Sequence, residues 1–207
     1  MYSLPYFTEH DQGKILAFMR AHPFAMLIGV GESSRPAVTQ VPLFIDERDG
    51  KLWLSGHLMK QTDHHQAFVH SPEALVVFTG PHTYVSASWY QNPQVASTWN
   101  YQSVHVRGDL KFQEGEYLVN ILRRTTNHFE NNAASPANFE HIPADYIERL
   151  SRAIVAFEIE VLSVDAIFKL SQNHSEYNVN SIIDHLSAGD HDAIKIAAEM
   201  RERKNSP

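Results

Sequence analysis

A mostly β protein with flanking helices (α+β), built on a small antiparallel barrel, is the fold this sequence predicts. Three observations carry it. Between Phe24 and Gly56, β-prone runs follow one another with only short turns between them, leaving no room for crossover helices. Further strand-like runs recur at Ala74–Thr79, Thr98–Phe112 and Val155–Val161. Helical periods lie between and after these runs rather than alternating with each strand, which is not a βαβ pattern.

The elements follow in order. Thr8–Asp11 resembles a capping box with Asp in place of Glu, and Ile15, Phe18, Met19 and His22 fall at helical spacing until Pro23 stops the helix. Phe24–Val30 reads as a buried strand, Gly31–Pro36 as a turn, and Ala37–Ile45 as a second strand. Asp46–Gly50 carries the Asp-Gly hairpin signal before Lys51–Gly56. Gln61–His70 predicts a short helix ended by Ser71-Pro72, and Ala74–Thr79 a strand that Thr83–Ser88 continues. Thr98–Phe112 predicts a long strand broken or bulged at Gly108. Glu116–Phe129 reads as a helix, Asn131–His141 as a loop and Ala144–Ser151 as a short helix. Val155, Phe157, Ile159 and Val161 alternate with Ala156, Glu158 and Glu160, the pattern of a strand with one buried face, which Ile167–Leu170 extends or pairs with. The end is helical, with Ile182, Ile183 and Leu186, then Ile194, Ala197, Ala198 and Met200, as its apolar positions. No repeat or low-complexity linker divides the chain, so the expectation is one domain over 1–207 with a C-terminal helical extension over about 175–204.

Composition narrows the function. With 43% apolar residues the chain can fold around a core. The absence of cysteine excludes disulfides, thiolate nucleophiles and Cys-ligated metal centres. Seventeen Lys and Arg against 24 Asp and Glu give a net charge of −7, which argues against a protein that grips DNA unaided. No apolar run approaches the roughly 20 residues that span a bilayer, and the first residues lack a signal peptide's basic and apolar regions. The expectation is a soluble, cytoplasmic protein. Thirteen histidines keep metal and heme in view, yet His64 and His65 have no partner at i+4, and His57 and His105 are far apart in sequence. Gly29-x-Gly31 lacks the third glycine of a dinucleotide fingerprint and reads as a hairpin.

Two stretches stand out. In Gly80–Tyr90, alternation puts His82, Tyr84, Ser86 and Ser88 on one side, with Trp89 following. In Thr98–His105, Trp99, Tyr101, Ser103 and His105 share one face, and Thr98, Asn100 and Gln102 the other. Rings, hydroxyls and amides together suit a planar heterocycle. The alternative is a polar barrel seam or a dimer interface rich in Tyr and Trp. Ser55–Thr62 leaves a strand and enters a helix carrying Ser55, His57, Lys60 and Thr62, groups a phosphate needs.

Phe78–Tyr90, Thr98–Tyr101 with Val104-His105, and Lys169–Asn173 resemble the PaiB family, also called FMN-binding negative transcriptional regulators. The Met1-Tyr2-x-x-Pro5-x-Phe7 start, His22–Ala25, Pro42-Leu43 and Gly56–Leu58 agree in order and spacing. The resemblance implies an antiparallel split β-barrel that binds FMN as a homodimer, with the flavin near the interface. It implies a phosphate at Ser55–Thr62 with Lys60 as the cation, and an isoalloxazine ring beside the strand from Thr39 to Leu43. Lys169, Gln172 and Asn173 would approach from the partner subunit. Where the family usually has proline, this chain has Ala87 and Ser97. Lys60 stands where Arg is common, and His174 replaces a frequent Arg. Three functions follow: a flavin-binding protein acting in regulation, directly or by sensing; an FMN-dependent oxidoreductase with His82 or His105 as proton carrier; and a heme-binding barrel. Repression would need DNA contacts, and the basic spots are Arg123-Arg124 and Arg201-x-Arg203-Lys204, both of which read as solvated helix faces.

Overall fold

The computed structural model describes residues 4–32 and 34–205. Met1 and Tyr2 of the family-like start, and Ser33 of the first turn, lie outside the described residues. In chain order the elements are α1 (Gln12–Ala21), β1 (Phe24–Val30), β2 (Pro36–Pro42), β3 (Phe44–Arg48), β4 (Lys51–Met59), α2 (Asp63–His70), β5 (Glu73–Val85), β6 (Thr98–Gln113), α3 (Glu116–Glu130), α4 (Ala144–Ala153), β7 (Ile154–Lys169), α5 (Glu176–Ser187) and α6 (His191–Asn205). The strands form one seven-stranded sheet in the order β2-β1-β5-β6-β7-β4-β3. β1 pairs antiparallel with β2 and β5, and β4 with β3 and β7.

The chain forms two compact units. The first gathers the chain up to Phe18, Thr79–Val104 and the chain from Asp165 on; the second gathers Met19–Phe78 and His105–Val164. In the second unit, β2 and β4 touch without pairing, and a Cβ on Gly56 would stand 3.0 Å from Pro42 O. That unpaired seam is the split of a split β-barrel. The Asp-Gly signal is realised, with Asp49 at φ 51° and Gly50 at φ 74° between β3 and β4.

Several expectations need correction. Asp11 itself caps α1, its Oδ1 accepting from Gly13 N at 2.8 Å and Lys14 N at 3.2 Å. The strand expected over Ala37–Ile45 breaks at Leu43, because Pro42 has no N–H for the ladder and Leu43 N donates to Pro23 O instead. β6 runs unbroken through Gly108, whose role is close approach: a Cβ there would lie 2.2 Å from Glu160 O. β5 ends at Val85, so the alternation read through Ser86 and Ser88 stops short. β7 is buried on both faces over Val155–Ile159, since α3 covers the face that Ala156 and Glu158 share. There Leu118 and Ile121 pack on Ala156, and Arg48 Nη2 lies 2.5 Å from Glu158 Oε1. α6 buries Ala193, Ile196, Ala197 and Met200 and leaves Ile194 exposed, because Asp190, accepting from Ala193 N, sets where that helix starts.

Candidate functional site

β4 leads into α2 through a tight turn in the second unit. Gln61 adopts φ 63°, and Thr62 caps α2: its Oγ1 accepts from His65 N at 3.3 Å and donates to Met59 O at 3.0 Å. Both hydrogen-bonding roles of that hydroxyl are therefore committed to the turn. Lys60 Nζ reaches Glu114 Oε1 at 2.5 Å, and the glutamate side chain is two-thirds exposed. The ammonium holds the Glu114 carboxyl below its ordinary range. A pair this open to water is weakly held, so an incoming anion can exchange with the carboxylate.

Ser55 and His57 sit differently. Pairing places Ser55 opposite Glu158 and His57 opposite Ala156, so both side chains share the face under α3. Ser55 Oγ and His57 Nδ1 are buried with no hydrogen-bond partner among the described residues. Burial pushes the His57 pKa down, favouring the neutral ring. Thr39, half-buried on β2 opposite Leu27, completes the expected residues of this unit.

In the first unit, Trp99 is 52% exposed, with the Tyr84 ring 5.9 Å and the His82 ring 6.0 Å away. These three form an accessible aromatic patch. Ser86 caps the 3-10 turn Ala87–Trp89, and Ser88 bonds back to it at 2.8 Å. Trp89 stacks on His185 at 4.8 Å and 12°, and its carbonyl accepts from Ser181 Oγ. Asn100 is fully buried, accepting from Ser171 Oγ at 3.0 Å and donating to Met200 Sδ. Gln102, on the same face, donates to Glu199. Gln172 closes its own turn, accepting from Leu170 N and donating to Phe168 O. Lys169 Nζ donates to Thr98 Oγ1. The structure thus groups His82, Tyr84 and Trp99, and separately Asn100 with Ser171, while Trp89 and Gln172 serve local architecture. Glu114, the partner of Lys60, is the residue the sequence reading missed. It follows β6, fifty-four positions away, and no local pattern announces it.

Residues 1–163 match the family described as "Putative FMN-binding domain". The protease synthase and sporulation protein PAI 2 of Bacillus subtilis is 30% identical over 204 residues, covering 99% of this chain and 98% of that one. The chain belongs to the PaiB family. Among solved structures it is similar to the flavocytochrome Anf3 from Azotobacter vinelandii, with a TM-score of 0.56 and 16% identity over 81% of this chain and 72% of that one. The FAD and heme binding protein from Mycobacterium smegmatis gives 0.54 and 14%, over 84% and 79%. At such identities the likeness is one of fold.

Two departures of this PaiB-family chain meet in space. Ala87 N donates to Ser97 Oγ at 3.0 Å, so the N–H and hydroxyl that stand in place of the usual prolines bond to each other. His174 packs on Tyr90 at 4.7 Å. The basic spots are engaged: Arg124 forks onto Asp46 at 2.7 Å, Arg123 bonds Asn120, Arg203 pairs with Glu9, Lys204 with Glu176, and Arg201 bonds Ser187. Among the described residues no cluster of His, Asp and Glu could hold a metal, and no helix is long and apolar enough to cross a membrane.

Proposed function

We propose that this PaiB-family protein binds FMN as a homodimer and acts in regulation as a flavin-based sensor. The observation that carries the flavin reading is the Lys60 turn, where a cation stands against an exposed carboxylate that a phosphate can replace. Lys60 would hold the phosphate and Thr62 would fix the turn. Ser55 Oγ and His57 Nδ1 fit as buried polar atoms still lacking partners. Bound FMN would supply reversible redox chemistry; the chain would supply its binding, orientation and electrostatics. Sensing is favoured over direct repression because the arginines and lysines of both basic spots are engaged within the chain, which leaves little charge for counterion release on DNA.

An uncovered sheet face supports the dimer. Phe24, Met26, Ile28 and Val30 alternate with buried Ala25, Leu27 and Gly29, and Ile28 stands between Val38 on β2 and Leu75 on β5. Phe24, Val30 and Val38 are 60%, 44% and 51% exposed. A contiguous apolar face of this kind calls for a covering partner, and self-association through a two-fold axis is the commonest solution. Sedimentation equilibrium of the wild type should give twice the chain mass, and Val38→Arg should shift it toward monomer; a monomeric wild type would sink the dimer reading. The flavin reading is tested by a visible spectrum after FMN is added in slight excess and the free fraction removed. Retained flavin bands are expected, and a colourless protein would end it.

A further inference from the structure

The first unit holds a cleft of about 440 Å³ whose walls include Tyr6, Phe7, Tyr90, Thr98, Lys169 and His174. This lies toward the small end of the roughly 300–1,000 Å³ of small-ligand pockets. Its features converge on one ligand chemistry. The cation is Lys169, whose Nζ donates to Thr98 Oγ1 and stands 5.6 Å from the centroid of the Phe7 ring. Among the described residues no aspartate or glutamate lines the cleft, although the chain as a whole carries a charge of −7. An entering anion therefore meets no like charge on the walls. Tyr90 is only 6% exposed, and its hydroxyl is buried with no hydrogen-bond partner among the described residues. Leaving a buried hydroxyl unbonded costs free energy that a polar ligand atom recovers. Tyr6, 47% exposed on the cleft wall, adds flat apolar surface suited to a ring, while Phe7 and Tyr90 are buried rings of the wall.

We propose that this cleft binds a small aromatic carboxylate, with its carboxylate on Lys169 and Thr98, its ring against Tyr6, and a polar substituent on the Tyr90 hydroxyl. Burial, with Lys169 adding to it, keeps the His174 pKa below its ordinary value, so the imidazole is neutral near pH 7 and Lys169 is the anion's contact. Burial also lowers the Lys169 pKa, and a bound carboxylate would favour the ammonium form again. The proposal does not rest on the flavin reading.

The test is calorimetric titration of the full chain with 4-hydroxybenzoate and, as its uncharged counterpart, 4-hydroxybenzamide. The acid should bind saturably and the amide at least roughly tenfold more weakly, as expected for losing a charge-assisted contact. Lys169→Gln should lower the acid's affinity by a similar factor and leave the amide's unchanged. Tyr90→Phe, which keeps the ring, should weaken the acid several-fold. Equal affinity for acid and amide, an unaffected Lys169→Gln, or no saturable binding of the acid would each overturn the proposal. So would competitive displacement of the acid by FMN, since the cleft would then belong to the flavin.

Discussion

Lys60 in the second unit and Lys169 in the first are both lysines that a family resemblance assigns to the cofactor, yet the structure gives them opposite surroundings. Lys60 sits against the exposed Glu114 carboxylate. Lys169 sits among hydroxyls and rings, in a cleft lined by no carboxylate side chain among the described residues. Around Lys169, most polar side chains expected at the site are already bonded within the fold: Asn100 to Ser171, Gln102 to Glu199, Gln172 to its own turn. What decides whether a matching residue can bind a ligand is whether its hydrogen-bonding capacity is still available. Removing an available group should change binding and spare stability; removing a committed group should do the reverse.

The largest expected effect is on binding. Lys60→Ala should raise the FMN dissociation constant roughly ten- to a hundredfold, the loss of a charge-assisted contact, while leaving the urea midpoint nearly unchanged. On the committed side, Asn100→Leu strands the buried Ser171 hydroxyl and should cost about 1–3 kcal/mol of unfolding free energy, read by urea denaturation, with the FMN affinity of the folded protein retained. A loss of FMN affinity there without a loss of stability would break the distinction.

A pH dependence sharpens it further. Burial lowers the pKa of His57, and likewise of His65 and His174. Below the ordinary histidine value the unfolded chain takes up protons that the folded chain refuses, so stability falls as pH drops through that value and levels off below the folded one. Glu9, held below its ordinary range by the Asp11 and His10 N–H groups and by Arg203 against the opposing effect of burial, loses its contribution at still lower pH, with the same sign. The urea midpoint should therefore fall between about pH 7.5 and about pH 5.5, and fall less in His57→Gln. The smallest effect belongs to Ser97→Ala, which removes the partner of Ala87 N and should cost about 1 kcal/mol. Ala87→Pro in addition should recover part of it, because position 87 opens a 3-10 turn and a proline there needs no partner.

Much of this was legible in the sequence, and the limit has a physical form. The Asp-Gly hairpin, the helix after Thr62, and the buried Ile182, Ile183 and Leu186 follow from local turn chemistry and periodicity. The break at Leu43 was half-visible in Pro42, whose missing N–H matters only once the neighbouring strand is known. Gly108 announced an exception but not its kind, since close approach to Glu160 O depends on a strand some fifty residues away. Alternation correctly put Asn100 and Gln102 on one face, but not that α6 would consume their hydrogen bonds. At the site, residue types spoke for chemistry while pairing across the fold decided availability, and Glu114 opposite Lys60 is the plainest case.

The most direct test of the central claim is therefore an FMN titration of three proteins: wild type, Lys60→Ala and Glu114→Gln. If the phosphate replaces Glu114 on Lys60, the first variant binds much more weakly and the second binds as tightly as the wild type or more tightly, because the competing charge is gone. Equal weakening in both variants would mean that the ion pair is a structural clasp and that the phosphate binds elsewhere.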